Sequence, residues 1–481
     1  MDKTSVGEKK RVISKKYLRP RWNFLSQDRK GVLHINNVSV NDLEKNYGTP
    51  LYIMVENEIR DRLRRFKAAF NTYEKLKPQY ACKCNSNLEI LKIVREEGFE
   101  LDVSSVGEII LGLLADFSPD QITFTNLYKT EQDILFAAKV GVRAVTADSL
   151  EEIRRIGTVA QKLQTKIRLF IRINPNIRYG NKLQKIHEFG TPLLAAKYGI
   201  PISYAKKAIT LAKSYDNIEL IGFHFHGGYI PNYKVYFQAA NKLLKLAKYC
   251  KDTYSINILD IDLGGGFPVQ YKDEAIFTPE EMGKKFIRYF KKSLVKYDLQ
   301  WPNLVFEPGK FIVANAGIGL VKIISKKPTK TKRILVTDGS TYAMLPDPLI
   351  YKTYYDILPA TQMSLPRVRK YDIAGCTCDC IDILGSNRIL PILKENDILA
   401  IMDTGAYSNA MASNFNNLKR PPMVMIKDTG AVKLIRRRDR YSEMFGPELD
   451  VLKVADPKEM KKFYNLFRIN IKKVWGSNGK K

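Results

Sequence analysis

The chain has 481 residues, 45% of them hydrophobic and 11% aromatic, with 79 Lys plus Arg against 50 Asp plus Glu and a net charge of +29. That much apolar material buries a large core and excludes wholesale disorder, and the length points to two or three domains. No stretch reaches the roughly 18 to 20 uninterrupted apolar residues of a spanning helix, and the basic first 22 residues lack a secretory signal's apolar core.

In chain order, residues 1–45 carry no repeat of their own and are expected to join a later β domain by adding a strand. From about residue 50 a βα alternation begins. Ile59, Leu63, Phe66, Phe70 and Tyr73 form one apolar stripe, which predicts a helix over 57–73. A buried-type strand is predicted at Tyr80 to Cys84, and others near 100–103, 121–125, 142–146, 167–173, 218–226, 257–263 and 303–306. Helix-patterned segments such as Ser149 to Leu163 and Glu280 to Val295 separate them. Eight such units predict an α/β fold, a closed (β/α)8 TIM-type barrel over 46–322. The competing open doubly wound sheet would need a glycine fingerprint after its first strand, which is absent. Beyond it, Arg333 to Thr337, Asp397 to Met402, Met423 to Ile426 and Ala431 to Ile435 read as strands, the last two joined by a hairpin turn at 427–430. They predict a C-terminal β-rich domain over 323–481.

A barrel of this kind carries its reactive groups where strands end. The first predicted strand ends in Lys83, which is either a lysine snorkelling at the mouth or one neutralised as a Schiff base with an aldehyde. The sixth ends in His224-Phe225-His226, the seventh in Gly264-Gly265-Gly266, and the eighth in Glu307-Pro308-Gly309-Lys310. Together they supply what pyridoxal phosphate needs: a Schiff-base amine, a stacking ring, a phosphate cradle and a partner for the pyridine nitrogen.

With these residues, and with Gly48-Thr49-Pro50-Leu51-Tyr52, Leu101-Asp102-Val103-Ser104-Ser105, Ala147-Asp148-Ser149, Lys197-Tyr198-Gly199-Ile200, Cys376-Thr377-Cys378-Asp379 and Gly405-Ala406-Tyr407, the chain resembles a known family. It is similar to the fold type III pyridoxal-phosphate-dependent decarboxylases, whose barrel is alanine racemase-like. This is the group of ornithine, arginine and diaminopimelate decarboxylases, and the overall texture is nearest to the last. The resemblance implies that Lys83 binds the cofactor covalently, His226 stacks on its ring and Glu307 pairs with the ring nitrogen. Gly264, Gly265, Gly266, Lys310 and Tyr407 would complete the cofactor site. Cys378 would act in catalysis across a homodimer interface, and Lys310, Asp347, Tyr351, Asp379 and Tyr407 would meet the amino-acid substrate.

Three positions depart from the family pattern. Tyr229 stands where a phosphate-binding serine is usual, and Lys310 replaces an arginine, losing its bidentate fork. Asp347 replaces the arginine expected to bind a distal carboxylate. A diamino acid such as diaminopimelate is the expected substrate, with lysine, ornithine or another basic amino acid as the alternative that Asp347 favours. A non-catalytic regulatory homologue is the alternative of another class.

Cys82 and Cys84 are expected to face away from Lys83 and pack as small apolar residues, and no metal site is expected from the cysteines. Six cysteines, five of them in two clusters, do not form a disulfide framework and imply a reducing, cytoplasmic setting. Lys and Arg spread along the whole chain, and the dense blocks are terminal, at Lys9, Lys10, Arg11, Lys15 and Lys16 and at Lys472, Lys473, Lys480 and Lys481. This reads as a solvated basic surface, with polyanion binding as the alternative; neither nucleic acid nor membrane is an expected partner.

Overall fold

A computed structural model describes residues 18–177, 197–272, 274–329 and 333–455, with 458, 461 and 465 beyond them. The basic terminal blocks lie outside the described residues. Eight parallel strands close a barrel: Leu76–Ala81, Glu100–Val103, Ile122–Thr125, Ala144–Ala147, Ile167–Asn174, Ile218–His224, Asp260–Asp262 and Asn303–Phe306. The last pairs with the first, Leu304 opposite Leu76, which completes the ring. Seven fall where the sequence pattern puts them; the first runs over Leu76–Ala81 instead of the expected Tyr80 to Cys84.

Three of the barrel helices illustrate hydroxyl caps. Thr130 and Asp133 form a capping box ahead of Glu131–Val140, Ser149 caps Leu150–Leu163, and Thr278 caps Pro279–Lys296. Aromatic packing then fixes the barrel against its helices. Phe66 meets Phe267 edge-on at 4.9 Å and Phe70 lies 4.8 Å from Phe306. Because Phe267 follows the three glycines and Phe306 precedes Glu307, this core anchors two rim loops.

The second sheet is built around Gly317–Pro328, which pairs antiparallel with Leu51–Val55, Arg333–Thr337 and Ile398–Met402. Thus the span 46–322 carries at each end a strand of the other sheet. Residues 25–39 do not add a strand there. They form a three-stranded sheet of their own, docked by Leu33 N–H to the Ala360 carbonyl (2.7 Å) and by an apolar core shared with Ile53, Val424 and Ile426.

The positive charge is less even in space than along the chain. On Glu56–Phe70 every arginine meets a carboxylate: Arg60 meets Glu56, Glu96 and Glu97, Arg62 meets Glu58, Arg64 meets Glu97, and Arg65 meets Asp61 and Glu280. On Ala205–Lys213, Lys234–Tyr254 and Pro279–Lys296, by contrast, Lys206, Lys207, Lys245, Lys284, Arg288 and Lys292 are exposed. Among the described residues none of these six forms an ion pair.

At the N-terminal ends of the strands the barrel interior is polar. Arg143 binds Asp260 at 2.6 Å, Asn303 donates to the same oxygen at 2.8 Å, and Gln79 donates to Thr123 at 3.0 Å. Replacing Arg143 with Met would leave the Asp260 carboxylate buried without its cation, and a loss of about 3 to 5 kcal/mol in denaturant-unfolding free energy is expected. A loss under about 1 kcal/mol would show that the pair does not brace the barrel floor.

Candidate active site

The first strand stops at Ala81, short of the expected Cys84, and residues 82–84 turn as a 3-10 helix. Lys83 leaves this turn into the barrel mouth, its side chain a third exposed, and donates to Asp102 Oδ2 at 2.8 Å. Burial pulls its pKa down, but Asp102 and Glu307 pull harder, and the ammonium is favoured. Cys82 and Cys84 are both buried, as expected. Cys84 does not face away, however. It contacts the Tyr407 side chain and the rim at Gly309, and burial pushes its thiol up to about 11. The strand ends early, so the alternation that would separate it from Lys83 no longer applies.

Glu307 sits at the centre, with 1% of its side chain exposed. His224 Nε2 lies 3.0 Å from its Oε1 and His226 Nδ1 lies 3.4 Å from its Oε2. Burial opposes its charge, yet His224, His226 and Lys83 hold the carboxyl well below the usual range. The two imidazoles lie nearly parallel, 13° apart. Burial pushes His226 down to about 4 against the pull of Glu307, so its ring is neutral at pH 7.

The three glycines cannot be replaced within this backbone. Gly264 and Gly266 have φ of 65° and 104°, and a Cβ on Gly265 would stand 2.5 Å from the Glu307 carbonyl oxygen. Gly264 donates to Asp262 Oδ1 at 2.8 Å and Gly265 to His226 Nδ1 at 3.2 Å. Asp262, His224 and Glu307 place ligand atoms within 4.8 Å of one another, a spacing that would also suit a metal ion. Here His224 takes Glu307 and the Gly264 N–H takes Asp262.

The remaining predicted residues divide into two groups. Lys310 Nζ lies 5.4 Å from the Tyr407 ring, 5.6 Å from the Tyr271 ring and 3.9 Å from Asp347. Asp347 is buried, accepts from the Tyr355 hydroxyl at 2.9 Å, and is pushed up by burial against the pull of Lys310. Tyr351, at the end of the same turn, is 53% exposed. Tyr229, 44% exposed, stands on the loop after His226. Cys378 and Asp379 stand apart on an exposed loop, Cys378 against Asn416 and Asp379 accepting from the Tyr342 hydroxyl at 2.5 Å. Among the described residues neither bonds to Lys83, Glu307 or His226.

Asp102, Arg172, Asp148 and Asp262 are the rim residues that sequence reasoning did not assign. Their signal is a charged residue inside an otherwise apolar barrel strand or at its end, as in Leu101-Asp102-Val103 and Ile171-Arg172-Ile173.

The family model of the pyridoxal binding domain of pyridoxal-dependent decarboxylases matches residues 56–314. The chain belongs to the pyridoxal-dependent decarboxylases. It is 32% identical to the diaminopimelate decarboxylase of Methanothermobacter thermautotrophicus, over 86% of this chain and 95% of the relative. With that of Vibrio cholerae it shares 31% identity over 89% and 99%. The crystal structure of the Methanocaldococcus jannaschii diaminopimelate decarboxylase in complex with L-lysine aligns with a TM-score of 0.79 at 29% identity, covering 88% of this chain and 97% of that one. This decarboxylase is a carboxy-lyase that uses pyridoxal phosphate, and the non-catalytic alternative is set aside. The residues fit the cofactor: a primary amine, an ionised buried carboxylate, a neutral imidazole and a cradle that a single Cβ would fill all converge on one mouth.

Two outcomes follow for this family member. Gly265→Ala is expected to weaken pyridoxal phosphate binding at least tenfold in an absorbance titration while circular dichroism stays unchanged; unaltered binding would show that the cradle is elsewhere. Between pH 6.5 and about 4 the unfolded chain binds a proton at His226 that the folded chain refuses, so stability falls as pH falls across that window. His226→Phe is therefore expected to flatten the pH dependence of unfolding free energy there by up to about 1.4 kcal/mol per pH unit. An unchanged slope would contradict a buried, neutral His226.

Proposed function

We propose that this decarboxylase removes one α-carboxylate from meso-diaminopimelate, releasing carbon dioxide and L-lysine in lysine biosynthesis. The observation that carries the reading is the buried Glu307, held ionised opposite Lys83 in a chain similar over most of its length to diaminopimelate decarboxylases. When bound, pyridoxal phosphate draws electrons from the substrate's α-carbon through a protonated ring.

The chain's own residues set the conditions for that chemistry. Lys83 would hold the cofactor through Nζ, which must first shed a proton; Asp102 Oδ2, 2.8 Å away on a carboxyl whose pKa burial raises, is placed to receive it. Glu307 would keep the ring nitrogen protonated, and His226 would lean on the ring face. Gly264, Gly265, Gly266 and Tyr407 would hold the phosphate beside Lys310. Cys378 and Asp379 lie outside their own subunit's cluster, which supports a homodimer in which they reach the neighbouring site. There Cys378 would return a proton to the substrate carbon and Asp379 would receive an amine. Six free cysteines support a cytoplasmic setting.

A second reading rests on Asp347. The charge of Lys310 is partly spent on a buried internal anion 3.9 Å away, which leaves less of it for a distal carboxylate. That favours lysine or ornithine as substrate.

Carbon dioxide release from meso-diaminopimelate, lysine, ornithine and arginine, measured in parallel, decides between the two. The first reading expects diaminopimelate to lead by at least tenfold in kcat/KM. The second expects lysine or ornithine to lead, and Asp347→Arg to shift the preference toward diaminopimelate. Lys83→Ala is expected to abolish release from every substrate, and residual wild-type turnover would remove Lys83 from its role.

A further inference from the structure

Four charged side chains cross the ends of the third to fifth barrel strands beside the pocket. Lys129 follows the third strand, and Glu152 lies in the first turn of Leu150–Leu163. Their side chains are 0% and 1% exposed, with Lys129 Nζ 3.2 Å from Glu152 Oε1. Glu152 also receives two backbone hydrogens, from Lys129 N–H at 2.9 Å and from Asp148 N–H at 2.7 Å. Asp148 then divides its carboxylate. Oδ1 takes an Arg172 N–H at 3.0 Å and Oδ2 takes the Gly199 N–H at 3.0 Å. The Arg172 guanidinium lies 4.5 Å over the Tyr198 ring, and that ring meets His226 edge-on with centroids 6.4 Å apart.

We infer that Lys129 and Glu152 are positioning residues for the decarboxylation: their buried ion pair fixes the Asp148–Arg172 contact, which through Tyr198 sets the ring of His226 in the pocket. Stability alone is a poor account of the pair, because packed apolar residues commonly replace a buried ion pair without loss. What apolar residues cannot do is accept two backbone N–H groups from different loops at fixed angles. Arg172 also places a positive charge near His226, joining burial and Lys83 in keeping that ring neutral. The inference rests on His226 facing the cofactor, the role proposed above.

The test uses full-length protein carrying Lys129→Met with Glu152→Gln, Arg172→Met, and all three together. Melting temperature without cofactor and the pyridoxal phosphate Kd from an absorbance titration are measured for each. Positioning expects the Lys129→Met/Glu152→Gln protein to melt within a few degrees of wild type yet bind cofactor at least fivefold more weakly. It also expects the triple variant to lose no more affinity than Arg172→Met alone, because both cuts fall on one line. Wild-type affinity in the Lys129→Met/Glu152→Gln protein, or additive losses in the triple variant, would overturn the inference. If that protein does not fold, Arg172→Lys, which keeps the charge and loses the fork, carries the same test: weaker binding at an unchanged melting temperature supports positioning, and unchanged binding overturns it. Wild-type protein that bound no pyridoxal phosphate would instead overturn the assigned site, and the inference with it.

Discussion

Keeping one carboxylate charged inside a closed barrel is the constraint on which the mouth of this protein depends. Burial alone would raise Glu307, but two imidazoles and the Lys83 ammonium surround it and hold it low, whereas the neighbouring acids are raised. Burial and Glu307 together push Asp262 well above the usual range, and Asp102 is raised by the same two causes. Glu307 is thereby lowered while the carboxyl groups around it are raised. The backbone is committed to the same end: Glu307 donates its N–H to the Gly264 carbonyl at 2.9 Å, and its own carbonyl blocks a side chain at Gly265. A shift in Glu307 would therefore disturb the three glycines as well as the charge.

The second sheet is tied into this arrangement through the turn that carries Lys83. Tyr407, at φ 57°, donates its N–H to the Cys84 carbonyl at 2.9 Å, and Asn85 donates to the Gly405 carbonyl at 3.0 Å. Gly405 itself donates to Ala314 at 3.0 Å, just past the eighth strand, where a side chain would collide with Val313. The Lys83 turn, the Tyr407 loop and the end of the barrel are therefore one packed unit. Lys310 completes it by lying between the Tyr271 and Tyr407 rings with Asp347 behind.

The barrel was legible because buried strands and amphipathic helices follow different periods, and the ends of those strands were rich in chemistry-bearing residues. Lys83, His226, the three glycines and Glu307 were singled out by that route, and the structure brings them to one mouth. Asp102 and Arg172 were not assigned, because a charged residue in an apolar run shows no partner until the strands are side by side. Cys84 was misjudged because one strand ended three residues early. Leu51–Val55 looked like the opening of the barrel's alternation, yet it pairs with strands more than 260 residues away, information that local pattern does not contain. His224, at the end of the sixth strand, is buried and meets Glu307 at 3.0 Å, a pairing that likewise appears only once the strands are side by side.

The most direct measurement of the central claim is chemical trapping of the cofactor. Pyridoxal phosphate is added to the purified protein, the adduct is reduced with borohydride, and the protein is digested and mapped by mass spectrometry. A single pyridoxyl modification is expected, on Lys83, accompanied by loss of an absorbance band near 420 nm. A modification on Lys310 or on surface lysines, with Lys83 unmodified, would contradict it.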